Sequence, residues 1–89
     1  MEDKREALLT FPCVFPLKVM GRREDGFAQV VAEIVQRHAP DFHAHTLEMR
    51  MSKNGRYLSL TATINARSQE QLDALYTELS KHPRVMMVL

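Results

Sequence analysis

The chain has 89 residues, 45% of them hydrophobic and 26% charged, with a net charge of +1 at neutral pH and one cysteine. That bounds it to one small domain, near the size at which a single core supplies only a few kcal/mol and a partner surface helps. The longest apolar run, Val85 to Leu89, is too short to span a bilayer, interspersed charges argue against binding nucleic acid by bulk charge, and lone Cys13 excludes an internal disulfide or a multi-thiolate zinc site.

Residues 1–10 read as a charged tail, flexible or briefly helical, with no secretory signal, so the expected location is the cytoplasm. Phe11 to Pro16 is an extended lead-in, because each proline pushes its predecessor away from helical angles. Leu17 to Gly21 reads as a first strand. Asp25 is placed to cap a first helix, in which Phe27, Val30, Val31, Ile34, Val35 and His38 recur at helical spacing until Pro40 ends the pattern. From His45 the period changes to two. His45, Leu47, Met49 and Met51 alternate with polar residues, and after Lys53-Asn54-Gly55 the alternation resumes with Leu58, Leu60, Ala62 and Ile64. Period two on both sides of Asn-Gly predicts a hairpin. Ser68 followed by Gln71 is a capping-box pattern, and Leu72, Leu75, Tyr76 and Leu79 stripe a second helix. Arg84 to Leu89 is a last strand.

This order predicts an α+β, ferredoxin-like βαββαβ fold: a four-stranded antiparallel sheet in the order 4-1-3-2 with both helices on one face.

The stretch Gly21-Arg22-Arg23-Glu24-Asp25-Gly26 has the glycine spacing of a P-loop. Phe27-Ala28 follows where Lys and Ser or Thr would have to reach phosphate and magnesium, so that reading fails. A solvated turn is the first reading. A small-molecule effector site at Gly21, Arg22 and Arg23 is the second, since free N–H groups of the helix start lie beside two guanidiniums, with Glu24 and Asp25 opposing an anion there. His38, Asp41, His43 and His45 fall on different elements, which leaves no expected metal. Cys13 reads as a small hydrophobe. The outward side of the third strand, Tyr57, Ser59, Thr61, Thr63 and Asn65, offers one aromatic, which is not a stacking platform, so an RNA-binding domain is the lesser alternative, kept open by Arg50, Lys53 and Arg56 around the hairpin. Alternation within Val85 to Leu89 turns Met86 and Val88 away from the helices, beside Met20. That apolar strip predicts a homodimer or protein-partner contact, unless Phe11 to Phe15 folds over it. With no acid–base pair, metal set or phosphate loop, the expectation is a non-enzymatic protein without cofactor.

From Leu9 onward the chain resembles the YbeD-like family of small bacterial proteins. The resemblance rests on Phe11-Pro12-Cys13-x-Phe15-Pro16-x-Lys18-Val19-Met20-Gly21 and Gln36-Arg37-His38-Ala39-Pro40, then on Ser52-Lys53-x-Gly55-x-Tyr57-x-Ser59-x-Thr61. It continues through Ile64-Asn65-Ala66, Leu75-Tyr76-x-Glu78-Leu79 and Met87-Val88-Leu89. It implies a fold similar to ACT-type regulatory domains, which usually bind amino acids or related effectors at subunit interfaces. It also implies a regulatory or binding role, with an association to lipoate metabolism in some members' names and no catalytic residues to carry over. This chain differs from the effector-binding pattern in filling its first turn with Arg22-Arg23-Glu24.

Overall fold

Strict alternation makes β3, Tyr57–Ala66, the spine of the sheet: Leu60, Ala62, Ile64 and Ala66 are buried on one side while the polar residues between them face the other. The computed structural model describes residues 10–89, so the tail expected over 1–10 lies outside the described residues except for Thr10. β1, Cys13–Arg22, pairs antiparallel with the whole of β3, from Cys13 opposite Ala66 to Arg22 opposite Tyr57. β2, Glu48–Met51, flanks β3, and β4, Val85–Val88, flanks β1, giving the order β2-β3-β1-β4. This is the topology the alternation predicts. Two helices, α1 (Phe27–His38) and α2 (Gln69–Lys81), cover one face. Phe27, Val31 and Val35 of α1 meet Leu72, Leu75 and Leu79 of α2 over Leu17, Val19 and Leu60, all 2% exposed or less. At about 1.5–3 kcal/mol for each large side chain removed from water, this layer is the main favourable term in folding.

Four features differ from the sequence reading. β1 begins at Cys13 rather than Leu17, running through Pro16. The backbone of Lys18 exchanges both its hydrogen bonds with Leu89 of the β4 side. Two residues earlier, Pro16 therefore turns the position of its missing N–H to that same side, beyond the pairing, where the β3 ladder loses nothing. This placement also removes the option that Phe11 to Phe15 folds over the open face, because Phe11, Cys13 and Phe15 pack on the core instead. β2 starts at Glu48 because Ala44–Thr46 forms a 3-10 turn, closed by Thr46 donating from Oγ1 to the His43 carbonyl at 2.6 Å. The residue preceding α1 is Gly26, at φ 84°, in place of the expected Asp25. A β-bulge in β4 is the fourth difference. Val88 lies opposite buried Val19 and Met87 opposite Met20, but Gly21 is opposite Val85, so Met86 is the extra residue.

The bulge corrects the predicted facing of β4. Both Val85 and Val88 pack against the core, and Met86 and Met87 are the exposed pair, at 60% and 49%. A one-residue insertion reverses alternation beyond it, so Val88 leaves the predicted strip and Met87 takes its place beside Met20.

α2 starts as its sequence predicts, with Ser68 Oγ accepting from the Gln71 N–H at 3.0 Å. The side chain of Gln71 does not return to the Ser68 N–H as a capping box would. Its Oε1 accepts from the Arg67 N–H at 2.6 Å, and its Nε2 donates to the His38 carbonyl at 2.8 Å, tying the end of α1 to the start of α2. Among the described residues no helix is long and apolar enough to cross a membrane.

Candidate functional site

The turn from β1 into α1 and the β2–β3 hairpin meet at one end of the sheet because β1 and β3 are neighbours in full register. The hairpin closes through Ser52: its N–H donates to the Tyr57 carbonyl at 3.0 Å, and its Oγ accepts from the Tyr57 N–H at 3.1 Å. Gly55 takes the positive φ of 75° that the turn requires, while Asn54 keeps a negative φ and accepts from the Arg56 N–H at 3.1 Å through Oδ1. The Arg23 N–H then donates to the Arg56 carbonyl at 2.8 Å, stitching the two turns together.

Between them lies a cleft of about 400 Å³ lined by Arg22, Arg23, Glu24, Arg56 and Tyr57. Arg22 stands on the open face of the sheet, directly across from Tyr57. Arg23 reaches back to the Met51 sulfur at 3.5 Å, a weak contact that leaves most of its donors unused. The sole carboxylate, Glu24, lies 3.6 Å from Arg84 Nε, and Arg84 Nη1 donates to the Asp25 carbonyl at 3.0 Å. Arg84 thus faces Glu24, one of the two carboxylates that the sequence sets against an anion at this turn, and meets Asp25 through its backbone carbonyl. Among the described residues neither Arg22, Arg23 nor Arg56 has a carboxylate partner.

Of the residues predicted for this site, Arg22 and Arg23 line the cleft and Gly21 does not. Gly21 is buried beneath the turn, where an added Cβ would lie 2.5 Å from the Arg84 carbonyl oxygen and 2.5 Å from Phe27 Cζ. Its role is close packing that fixes the turn. The sequence reading missed Arg56 as a member of the cleft. The predicted strand order contains the signal: with the third strand beside the first, the residue just before Tyr57 lies next to Arg22 and Arg23.

The histidines and Asp41 do not gather at one point. His43 and His45 lie with ring centroids 5.7 Å apart and tilted by 33°, and Asp41 turns to Arg67 at 3.6 Å. His38 lies 2.7 Å from Glu78 through Nε2, where Arg37 also binds Glu78 with two hydrogen bonds of 3.0 and 2.6 Å. These two hydrogen-bond partners hold the Glu78 carboxyl below its ordinary range, Arg37 first and His38 second, and the same contact raises Arg37. This cluster joins α1 to α2 on the surface. Among the described residues no three of His, Cys, Asp and Glu could hold a metal ion together.

On the open face, Met20 and Met87 sit side by side, with Leu89 across from Lys18 and exposed at 59%. Tyr57, Ser59, Thr61, Thr63 and Asn65 of β3 share that face, as their spacing predicts.

Residues 6–89 match the family described as protein of unknown function (DUF493). The UPF0250 protein NE1487 of Nitrosomonas europaea is 55% identical over 84 residues, covering 94% of this chain and 97% of the relative. The UPF0250 protein of Chromobacterium violaceum is 46% identical over 89 residues, the whole of both chains. Among solved structures, protein HP0495 from H. pylori aligns with a TM-score of 0.76 at 18% identity, over 100% of this chain and 93% of that one. The ACT domain from GTP pyrophosphokinase of Chlorobium tepidum aligns with a TM-score of 0.66 at 17% identity, over 86% of this chain and 83% of that one. The chain therefore belongs to the YbeD-like, UPF0250 family, and its fold is the ferredoxin-like fold shared with ACT domains.

Proposed function

We propose that this protein is a non-enzymatic regulatory or binding module that takes an anionic small-molecule effector in the cleft between Arg22, Arg23 and Arg56. The observation that carries the reading is the lining of one cleft by three arginines from two turns while the one lining carboxylate faces Arg84. Likeness to ACT domains supports a regulatory module by fold alone. A ligand that binds only the folded state stabilises it by RT ln(1 + [L]/Kd), about 2.7 kcal/mol at a hundredfold excess over Kd. A thermal-shift screen of amino acids, nucleotides, lipoate and inorganic anions tests the reading. The account predicts stabilisation by at least one anion, abolished in the Arg22→Ala, Arg23→Ala variant, whose exposed side chains contribute little to the fold. No response to any compound would refute it.

A second reading is favoured by the exposed Met86, Met87 and Leu89 beside Met20, together with the outer edge of β4. An unpaired strand edge bordered by apolar side chains is a pairing surface for another chain. On this reading the β1–β4 side binds a second copy or another protein, whether or not the cleft is filled. Sedimentation should then show a dimer at high micromolar concentration and a monomer for Met86→Lys, Met87→Lys, because burying unpaired charges opposes association. A wild-type monomer that recovers no partner from cell extract would remove this reading.

A further inference from the structure

We infer that the ligand of the arginine cleft carries a phosphate or diphosphate group and is not an amino acid, an inference that rests on the effector-site reading above. An amino acid brings an ammonium group that needs an acceptor beside its carboxylate, and the cleft has a single lining carboxylate, which already faces a guanidinium. Glu24 lies against Arg84 Nε at 3.6 Å, and the Arg56 carbonyl accepts the Arg23 N–H at 2.8 Å. What the cleft offers in surplus is donors.

Arg22, Arg23 and Arg56 each carry five N–H donors, and the planar fork of a guanidinium matches two oxygens of a phosphate at once. Three positive charges against one carboxylate leave a lining charge of +2, which suits a dianion; a zwitterion with no net charge would leave it unbalanced. Register fixes the spacing. Arg22 is held across from Tyr57 by the β1–β3 ladder, and Arg56, which immediately precedes Tyr57, is held in the hairpin turn by its N–H donating to Asn54 Oδ1 at 3.1 Å. The Arg23–Arg56 backbone bond adds the third arginine to the same frame. Tyr57, half-buried between them, adds a phenolic hydroxyl that can donate to a phosphate oxygen.

Titration calorimetry on the full chain tests this, with inorganic pyrophosphate and orthophosphate as probes, sulfate at matched ionic strength as the control anion, and a panel of amino acids. The expected result is pyrophosphate binding at least tenfold tighter than sulfate, weakened about tenfold or more in Arg22→Ala, Arg56→Ala, and only partly restored by Arg22→Lys, Arg56→Lys, because lysine keeps the charge and loses the fork. An unchanged circular dichroism melt shows that the variants fold. Pyrophosphate binding no tighter than sulfate, or unaltered in the alanine variant, overturns the inference. If an amino acid binds through Arg22 and Arg56 and pyrophosphate does not, the phosphate class is wrong and the effector site stands. If no probe binds, both fail. A single-stranded oligonucleotide that binds more tightly with each added nucleotide, while pyrophosphate does not bind, would overturn the small-molecule assignment in favour of backbone tracking.

Discussion

Replacing Gly21 by alanine probes how the cleft is held. The new methyl would lie 2.5 Å from the Arg84 carbonyl oxygen and 2.5 and 2.8 Å from Phe27 Cζ and Cε1. Neither neighbour can give way cheaply. Arg84 leads directly into β4, whose Val85 pairs with Gly21, and Phe27 is fully buried at the start of α1. Overpacking of this kind costs about 1–3 kcal/mol, and two fixed contacts place Gly21→Ala near the upper end. Alanine regains about 0.5–1 kcal/mol by losing less chain entropy than glycine on folding, which leaves a net loss of about 2 kcal/mol. For a domain of this size that lowers Tm by about 8–16 °C. Urea denaturation followed by circular dichroism reads the loss as a lower midpoint at unchanged m-value. A midpoint equal to or above wild type would refute the reasoning: Phe27 would have to move freely, and the turn bearing Arg22 and Arg23 would lack its buried anchor.

Val88→Lys should prevent stable folding, since it forces a charge toward the core beside Val19, whereas Met87→Lys should melt within about 0.5 kcal/mol of wild type; thermal melts in parallel separate the two, and equal tolerance of both would discredit the bulge. Ser68→Ala removes the Oγ that accepts from the Gln71 N–H and should cost about 1 kcal/mol by chemical denaturation. Glu78 has a depressed carboxyl pKa, so its contribution is present at neutral pH and fades as pH falls below the unfolded value of about 4.3 through the folded one. Glu78→Gln should therefore narrow the stability gap between pH 7 and pH 3, by a modest amount because the group is partly solvated; an unchanged acid limb would show that the Arg37 and His38 contacts carry no linkage.

Much of the fold is legible because side-chain period maps directly onto burial. Leu60, Ala62 and Ile64 alternate into the core, and Val31, Ile34, Val35, Leu72, Leu75 and Leu79 follow helical spacing into the same layer. What sequence conceals is the local backbone geometry that interrupts a period. Val85-Met86-Met87-Val88 reads as simple alternation, and only the pairing of Gly21 with Val85 reveals the bulge that turns Val88 inward. Pro16 reads as a strand breaker until the direction of its missing N–H is known. His45 and Leu47 fit a period of two, yet the Thr46 hydroxyl closes a turn there. Phe42 is 3% exposed although no periodic element contains it; a lone aromatic in a loop gives no repeat to detect. The cleft was half legible. Arg22 and Arg23 are adjacent and conspicuous, while Arg56 joins them only through register, and the contact of Glu24 with Arg84 spans the fold from the first turn to the start of the last strand.

The central claim is that this end of the sheet is an anion site, and an amide NMR titration of the uniformly ¹⁵N-labelled chain with inorganic pyrophosphate tests it most directly. The account predicts saturable shifts at Arg22, Arg23, Arg56 and Tyr57, with the signals of the α1–α2 surface around Arg37 and Glu78 unmoved. Shifts scattered over all exposed lysines and arginines without saturation, or none at the four cleft residues, would contradict it.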